Sequence, residues 1–146
     1  MDELDRKIIG ILQKDGRTSN ARIARQLRVS EGTIRRRLKR LIEEEVIQVL
    51  ALPEPSKLGY TTEAIIALQV EPGKIEDVAA ALARVPEALN VSVTTGAFDV
   101  FALVALPSPE DLHGFILSVL GVIPGVRRSE TFVTMSVKKR VFAPVS

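Results

Sequence analysis

The 146-residue chain contains no cysteine. Without thiols there is no disulfide framework and no thiolate metal site, the usage expected of a chain in a reducing cytoplasm. Its one histidine, His113, falls on an amphipathic helical pattern without the positioned partners a general base needs. No grouping of histidine with carboxylates indicates a metal, and no glycine-rich phosphate loop is present. Aromatic residues are few, at 4%. No stretch reaches the roughly 18 unbroken apolar residues of a membrane span. The most apolar candidate, 115–126, is interrupted by Ser118, Gly121, Pro124 and Gly125. The N-terminus, MDELDRK, is acidic and reads as the start of a helix, not as a signal peptide. These absences leave a globular composition, 46% hydrophobic and 26% charged, with no enzyme signature, cofactor, metal or membrane segment expected.

Charge is unevenly placed. The net charge is +2, but residues 1–50 hold twelve Lys and Arg against eight Asp and Glu, while residues 51–146 hold eight against ten. The asymmetry predicts an N-terminal part facing nucleic acid and a C-terminal part with another task.

The first part reads as three helices. Asp2 caps one over Glu3–Lys14, with Leu4, Ile8, Ile11 and Leu12 as its apolar stripe and Asp15-Gly16 as its stop. A second carries Ile23, Ala24 and Leu27, with Thr18 or Ser19 as its cap. A turn at Arg28-Val29-Ser30 follows, and Ser30 caps the third. At 100° per residue, Ile34, Leu38, Leu41 and Ile42 share one face of that third helix, and Gly32, Thr33, Arg36, Lys39 and Arg40 point largely the other way. Arg35 and Arg37 sit on the flanks. From Arg28 to Arg40 there are six basic residues against the single acid Glu31, a local net of +5.

A basic run alone is more often a solvated face. Here it lies on the second helix of a helix-turn-helix pattern, the arrangement that presents a helix to the major groove. The expected DNA contacts are Arg36, Lys39 and Arg40 to phosphates and bases, with Arg35 and Arg37 beside them. Glu31 and Thr33 would tune base choice, and Ser30 and Gly32 would lie at the closely approaching helix start. Asn20, Arg22 and Arg25 would hold backbone phosphates.

After Glu43-Glu44-Glu45 the pattern changes. Residues 46–50 look like a strand and Pro53-Glu54-Pro55-Ser56 like a linker. Strand signals follow at 62–70, 89–95, 99–106 and 126–141, and helical ones at 74–84 and from Pro109 to about Leu120. The order βαββαβ predicts a ferredoxin-like sheet with both helices on one face. Its other face would pack on a second copy. The expected fold is therefore α+β: a three-helix, winged helix-turn-helix domain over 1–52, a linker over 53–61, and a ferredoxin-like domain over 62–146.

The chain resembles the Lrp/AsnC, or feast/famine, family of transcription regulators end to end. The resemblance rests on LDRKIIGILQKDGR at Leu4–Arg17, IARQLRVSEGTIRRRLKRLIEEEVI at Ile23–Ile47, KLGY at Lys57–Tyr60 and TTGAFDVFALV at Thr94–Val104. It implies a winged-helix-like reader of double-stranded DNA, a linker strand, and homodimers assembling to tetramers or octamers. It also implies a small effector such as an amino acid, bound at the loop between the second and third sheet strands. On that basis the effector residues would be Gly96, Ala97, Phe98 and Asp99, with hydroxyls from Thr131 and Thr134. Where the family typically shows Gly-Asp-Tyr-Asp, this chain has Gly96-Ala97-Phe98-Asp99, lacking one carboxylate and one phenol. Turn chemistry alone also explains Gly and Asp at such a loop. Arg28 occupies the turn position where such motifs usually have glycine.

Two other functions are compatible with this layout: an architectural protein compacting DNA with little sequence preference, and, more remotely, a haem-pathway decarboxylase subunit, which shares a two-domain layout but has no use for a basic recognition helix.

Overall fold

The structure is a computed structural model and describes residues 1–144. Contacts divide it into two compact units: residues 1–52 together with the chain end from Lys139, and Pro53–Lys138.

The first unit holds α1 (Glu3–Lys14), α2 (Asn20–Leu27) and α3 (Glu31–Glu43). Each starts on a side chain that satisfies orphan amides of the first turn. Asp2 Oδ1 accepts the Asp5 amide and Asp5 Oδ2 accepts the Asp2 amide, both at 3.0 Å, a reciprocal capping box built from two aspartates. Ser19 Oγ accepts the Arg22 amide and Ser30 Oγ the Thr33 amide. Ile8, Ile23, Ala24 and Ile34 form the buried centre, flanked by Leu4, Ile11, Leu12, Leu27 and Val29. A fully buried aliphatic of this size contributes about 1.5–3 kcal/mol relative to exposure.

Both α2 and α3 end on a left-handed residue that is not glycine: Arg28 (φ 56°) and Glu45 (φ 55°). At each, the following amide reaches back five residues, Val29 to the Ala24 carbonyl and Val46 to the Leu41 carbonyl, the Schellman closure. This ending removes the strand expected at 46–50. The Val46 and Ile47 amides both donate to Leu41, and no other segment of the unit pairs with residues 48–50. A strand needs a neighbour to satisfy its backbone, so the wing does not form among the described residues.

The second unit begins with a 3-10 turn at Pro55–Leu58 and continues as β1 (Thr62–Val70), α4 (Ile75–Ala83), β2 (Ala88–Val93), β3 (Val100–Leu106), α5 (Pro109–Ser118) and β4 (Val126–Val133). The strand order is β2-β3-β1-β4, with every neighbouring pair antiparallel. Ala64, Ile66, Leu68 and Val70 of β1 point to one face, where Val78 and Leu82 of α4 and Leu112 and Phe115 of α5 cover them. On the other face Leu103, Ile65 and Phe132 stand side by side across three strands. There Ile65 is 42% and Phe132 50% exposed.

The final strand is shorter than the expected 126–141. Thr134 makes the last bond to β1, at the Glu63 carbonyl. Because β1 begins at Thr62, the chain beyond has no neighbour to pair with. Residues 139–144 group with the first unit, not with the sheet domain expected over 62–146, and Gln13 Nε2 donates to the Pro144 carbonyl at 2.9 Å. Entry into β4 needs Gly125. Its φ is +97°, and a Cβ there would stand 2.7 Å from Cβ of Lys74.

Candidate nucleic-acid interface and effector loop

The outward face of α3 is set by its buried one. Ile34 and Leu41 are fully inside, which places Arg36 about 200° around the helix from Ile34 and Lys39 about 140°. Gly32 lies on the same side, and a Cβ there would meet nothing within 4 Å. The Thr33 hydroxyl is 2.8 Å from the capping Ser30 hydroxyl. Glu31 pairs with Arg35 at 3.0 Å and Glu43 with Lys39 at 3.6 Å, both pairs well exposed. Exposed one-turn pairs of this kind contribute a few tenths of a kcal/mol and separate readily. On α2, Asn20 is half-buried while Arg22 and Arg25 are exposed.

Arg37 and Arg40, both among the expected DNA contacts, are engaged within the protein. Both turn toward α1. Arg37 Nη1 donates to Asp5 Oδ1 at 3.1 Å and also contacts Asp2 Oδ2. Arg40 Nη2 donates to Asp5 Oδ2 at 2.6 Å, and its Nε lies 4.0 Å from Glu44. The Asp5 side chain is 1% exposed, that of Arg37 28% and that of Arg40 44%, against 67% for Arg35 and 73% for Lys39. The cause is local geometry: positions 37 and 40 lie on the flank of α3 that packs on α1, where two carboxylates wait. Of the five α3 cations, Arg36 alone joins none of the ion pairs formed among the described residues. Sequence periodicity missed Asp2 and Asp5. The signal available was two acids three residues apart ahead of an apolar stripe.

These charges are firmly ionised. Arg37, with the Asp5 amide, holds the Asp2 carboxyl down to about 2. Burial by itself pushes the Asp5 carboxyl up, but the Asp2 amide, Arg37 and Arg40 together outweigh it and leave it below the ordinary value. Arg37 is raised in turn by its bonds to Asp2 and Asp5.

In the second unit, the loop Gly96–Asp99 is tied down by its own chain. The Asp99 amide donates to the Leu68 carbonyl at 2.8 Å, the Thr94 amide to the Asp99 carbonyl at 2.9 Å, and Gln69 Nε2 to the Ala97 carbonyl at 3.0 Å. Asp99 Oδ2 accepts the Val70 amide at 2.8 Å. Gly96 takes φ +105° and is exposed, as is Ala97. Phe98 packs edge-on against Phe101, with centroids 6.0 Å apart. The structure does not bring Thr131 and Thr134 to this loop within one chain. Thr131 pairs with Ile66 on the opposite side of β1 from β3. Thr134 bonds Glu63, five residues from Leu68, about 17 Å along the strand.

Among the described residues no helix is long and apolar enough to cross a membrane, and no three metal-ligating side chains cluster.

Together these features define a helix-turn-helix unit with an outward basic face, in one chain with an αβ sheet unit. Comparisons with known proteins agree. Residues 1–42 match the AsnC-type helix-turn-helix domain and residues 63–143 the Lrp/AsnC ligand binding domain. An uncharacterised HTH-type transcriptional regulator of Pyrococcus abyssi is 42% identical over 146 residues, spanning 99% of this chain and 92% of its own. Among solved structures, E. coli AsnC superimposes with a TM-score of 0.89 at 24% identity, covering 98% of this chain and 97% of that one. A transcriptional regulator of Neisseria meningitidis, solved as an L-Met complex, gives 0.89 at 26% identity, covering 96% and 93%. The chain belongs to the Lrp/AsnC family of transcriptional regulators.

Proposed function

We propose that the chain reads duplex DNA sequence-specifically through the outward face of α3, with Arg36 at its centre. Lys39 and Arg35, loosely held by exposed acids, add phosphate contacts. Gly32 and the Ser30–Thr33 hydroxyls form the closely approaching helix start, and Glu31 and Thr33 adjust base choice. Asn20, Arg22 and Arg25 of α2 hold the flanking backbone. The observation that carries this reading is the position of Arg36, exposed, opposite the buried Ile34, and outside every ion pair formed among the described residues.

Two copies would bring two such helices to successive major grooves. The apolar row Leu103–Ile65–Phe132 supports packing through the open sheet face, and tetramers or octamers would be built from such dimers in the cytoplasm. The effector is an amino acid, a class supported by the L-Met complex of the Neisseria relative. The exposed Gly96–Ala97 backbone would meet its carboxylate. Asp99 serves to hold the loop on β1, and Thr131 and Thr134 would take part only if presented by another copy.

The test is a binding titration with duplex DNA taken from upstream of the chain's own coding sequence. Arg36→Ala is expected to weaken specific binding by about 1–3 kcal/mol. Wild-type protein is expected to prefer this duplex about a thousandfold over random DNA at physiological salt. Unchanged affinity in the variant overturns the assignment of Arg36. Equal affinity for random DNA favours the architectural alternative.

A further inference from the structure

The clasp between α1 and α3 poses a physical question. Packing α1 on α3 does not require charge, since Ile8 and Ile34 already do it with apolar contact. Buried ion pairs replaced by well-packed apolar residues are often neutral or stabilising. Yet this chain keeps a fully buried carboxylate, Asp5, with a second, Asp2, beside it. Together they accept two guanidiniums from the helix that carries the DNA-facing cations.

We infer that Asp5, assisted by Asp2, is a specificity-determining residue: it withdraws Arg37 and Arg40 from the phosphates, so that α3 engages DNA with fewer cations than its sequence carries. This rests on the DNA reading above and adds to it. The geometry is two carboxylates for two arginines. Asp5 spends one oxygen on Arg37 and the other on Arg40, while Asp2 spends one on Arg37 and the other on its own cap. Non-specific binding is almost entirely phosphate neutralisation, whereas specific binding adds base contacts. Removing two cations per protomer therefore lowers the hold on random DNA more than the hold on a cognate site, and the ratio between them rises. Asp5 acts through Arg37 and Arg40 and does not itself touch DNA.

The test uses the full chain and a random-sequence duplex, with affinity measured across a salt series. Asp5→Asn leaves Arg37 with Asp2 and releases Arg40 to its exposed one-turn neighbour Glu44, a pair that separates readily; the double change Asp2→Asn with Asp5→Asn frees both from α1. Each freed arginine is expected to steepen the slope of log K against log salt by about 0.9 per protomer, and to tighten non-specific binding at about 0.1 M salt by up to about eightfold. Neutralising the whole clasp, by Asp2→Asn and Asp5→Asn with Arg37→Gln and Arg40→Gln, is expected to restore the wild-type slope. A purely structural Asp5 would lower melting temperature and affinity without steepening the slope, and that result overturns the inference. If the variants do not fold, side-chain NMR of the wild type decides. The Arg37 and Arg40 Nε–H signals should stay in place as the duplex is added while that of Arg36 shifts, and movement of all three overturns the inference. Wild-type protein that binds no duplex at any salt overturns the DNA reading and this inference with it. A wild type that binds while slopes stay equal across the series overturns the sequestration alone.

Discussion

Asp99 Oδ2 and the amide of Val70 are joined at 2.8 Å, tying the loop ahead of β3 to the end of β1. The bond falls where the β1–β4 register shifts between Gln69 and Val70, so the Val70 amide depends on a side chain for its partner. Asp99→Ala leaves that amide unpaired in a partly buried position. The expected cost is about 1–3 kcal/mol, read as a lower denaturation midpoint of the sheet unit in effector-free protein. A variant as stable as wild type would return Asp99 to the role of ligand partner.

Arg28 sits at φ 56° in the turn between α2 and α3. Left-handed backbone costs an L-residue about 1–2 kcal/mol that glycine does not incur. Arg28→Gly is therefore expected to stabilise the first unit by about 1 kcal/mol, visible as a higher melting temperature. It should also weaken DNA binding slightly through the lost charge. A lower melting temperature would mean that the arginine side chain makes compensating contacts.

Gly32 offers a cleaner separation of folding from binding. A methyl group there meets nothing within 4 Å, and alanine is favoured over glycine inside a helix by up to about 1 kcal/mol. Gly32→Ala should thus raise stability while lowering duplex affinity, because the added methyl stands where the nucleic acid comes close. Melting curves and binding titrations of the same sample check both halves. Affinity equal to wild type would move the DNA away from the start of α3.

Acid should loosen the first unit through Asp2 and Asp5. Arg37, with the Asp5 amide, holds the Asp2 carboxyl down to about 2, from an ordinary 3.8, and Asp5 is lowered too. A carboxyl depressed in the folded state stabilises it above the unfolded value and ceases to do so as pH falls through the folded one. The stabilisation from the clasp is therefore complete above about pH 4 and fades toward pH 2. Amide NMR signals of Ile8 and Ile34 followed through acid titration report it. The doubly neutralised Asp2→Asn, Asp5→Asn protein should show a flatter response over that range.

Much of this was legible along the chain. Asp2, Ser19 and Ser30 announce their helices because a cap acts within three residues of itself. The three-helix stripes and the alternation in Thr62–Val70 are likewise short-range patterns. Three things were not legible in this way. The strand expected at 46–50 has the right residues but no partner, and pairing is a property of neighbours. The length of β4 depends on where β1 begins, seventy residues earlier. The periodicity of α3 counted five outward or flanking cations without knowing what stood beside two of them.

Amino-acid order alone determined the three N-terminal helices, their caps and the excess of positive charge on α3, since propensity, capping and amphipathic period are local. Only the folded unit decided which cations remain available. Asp5 and Arg40 are thirty-five residues apart in the chain and 2.6 Å apart in space, and a charge is silenced by what lies against it, whatever its distance in sequence.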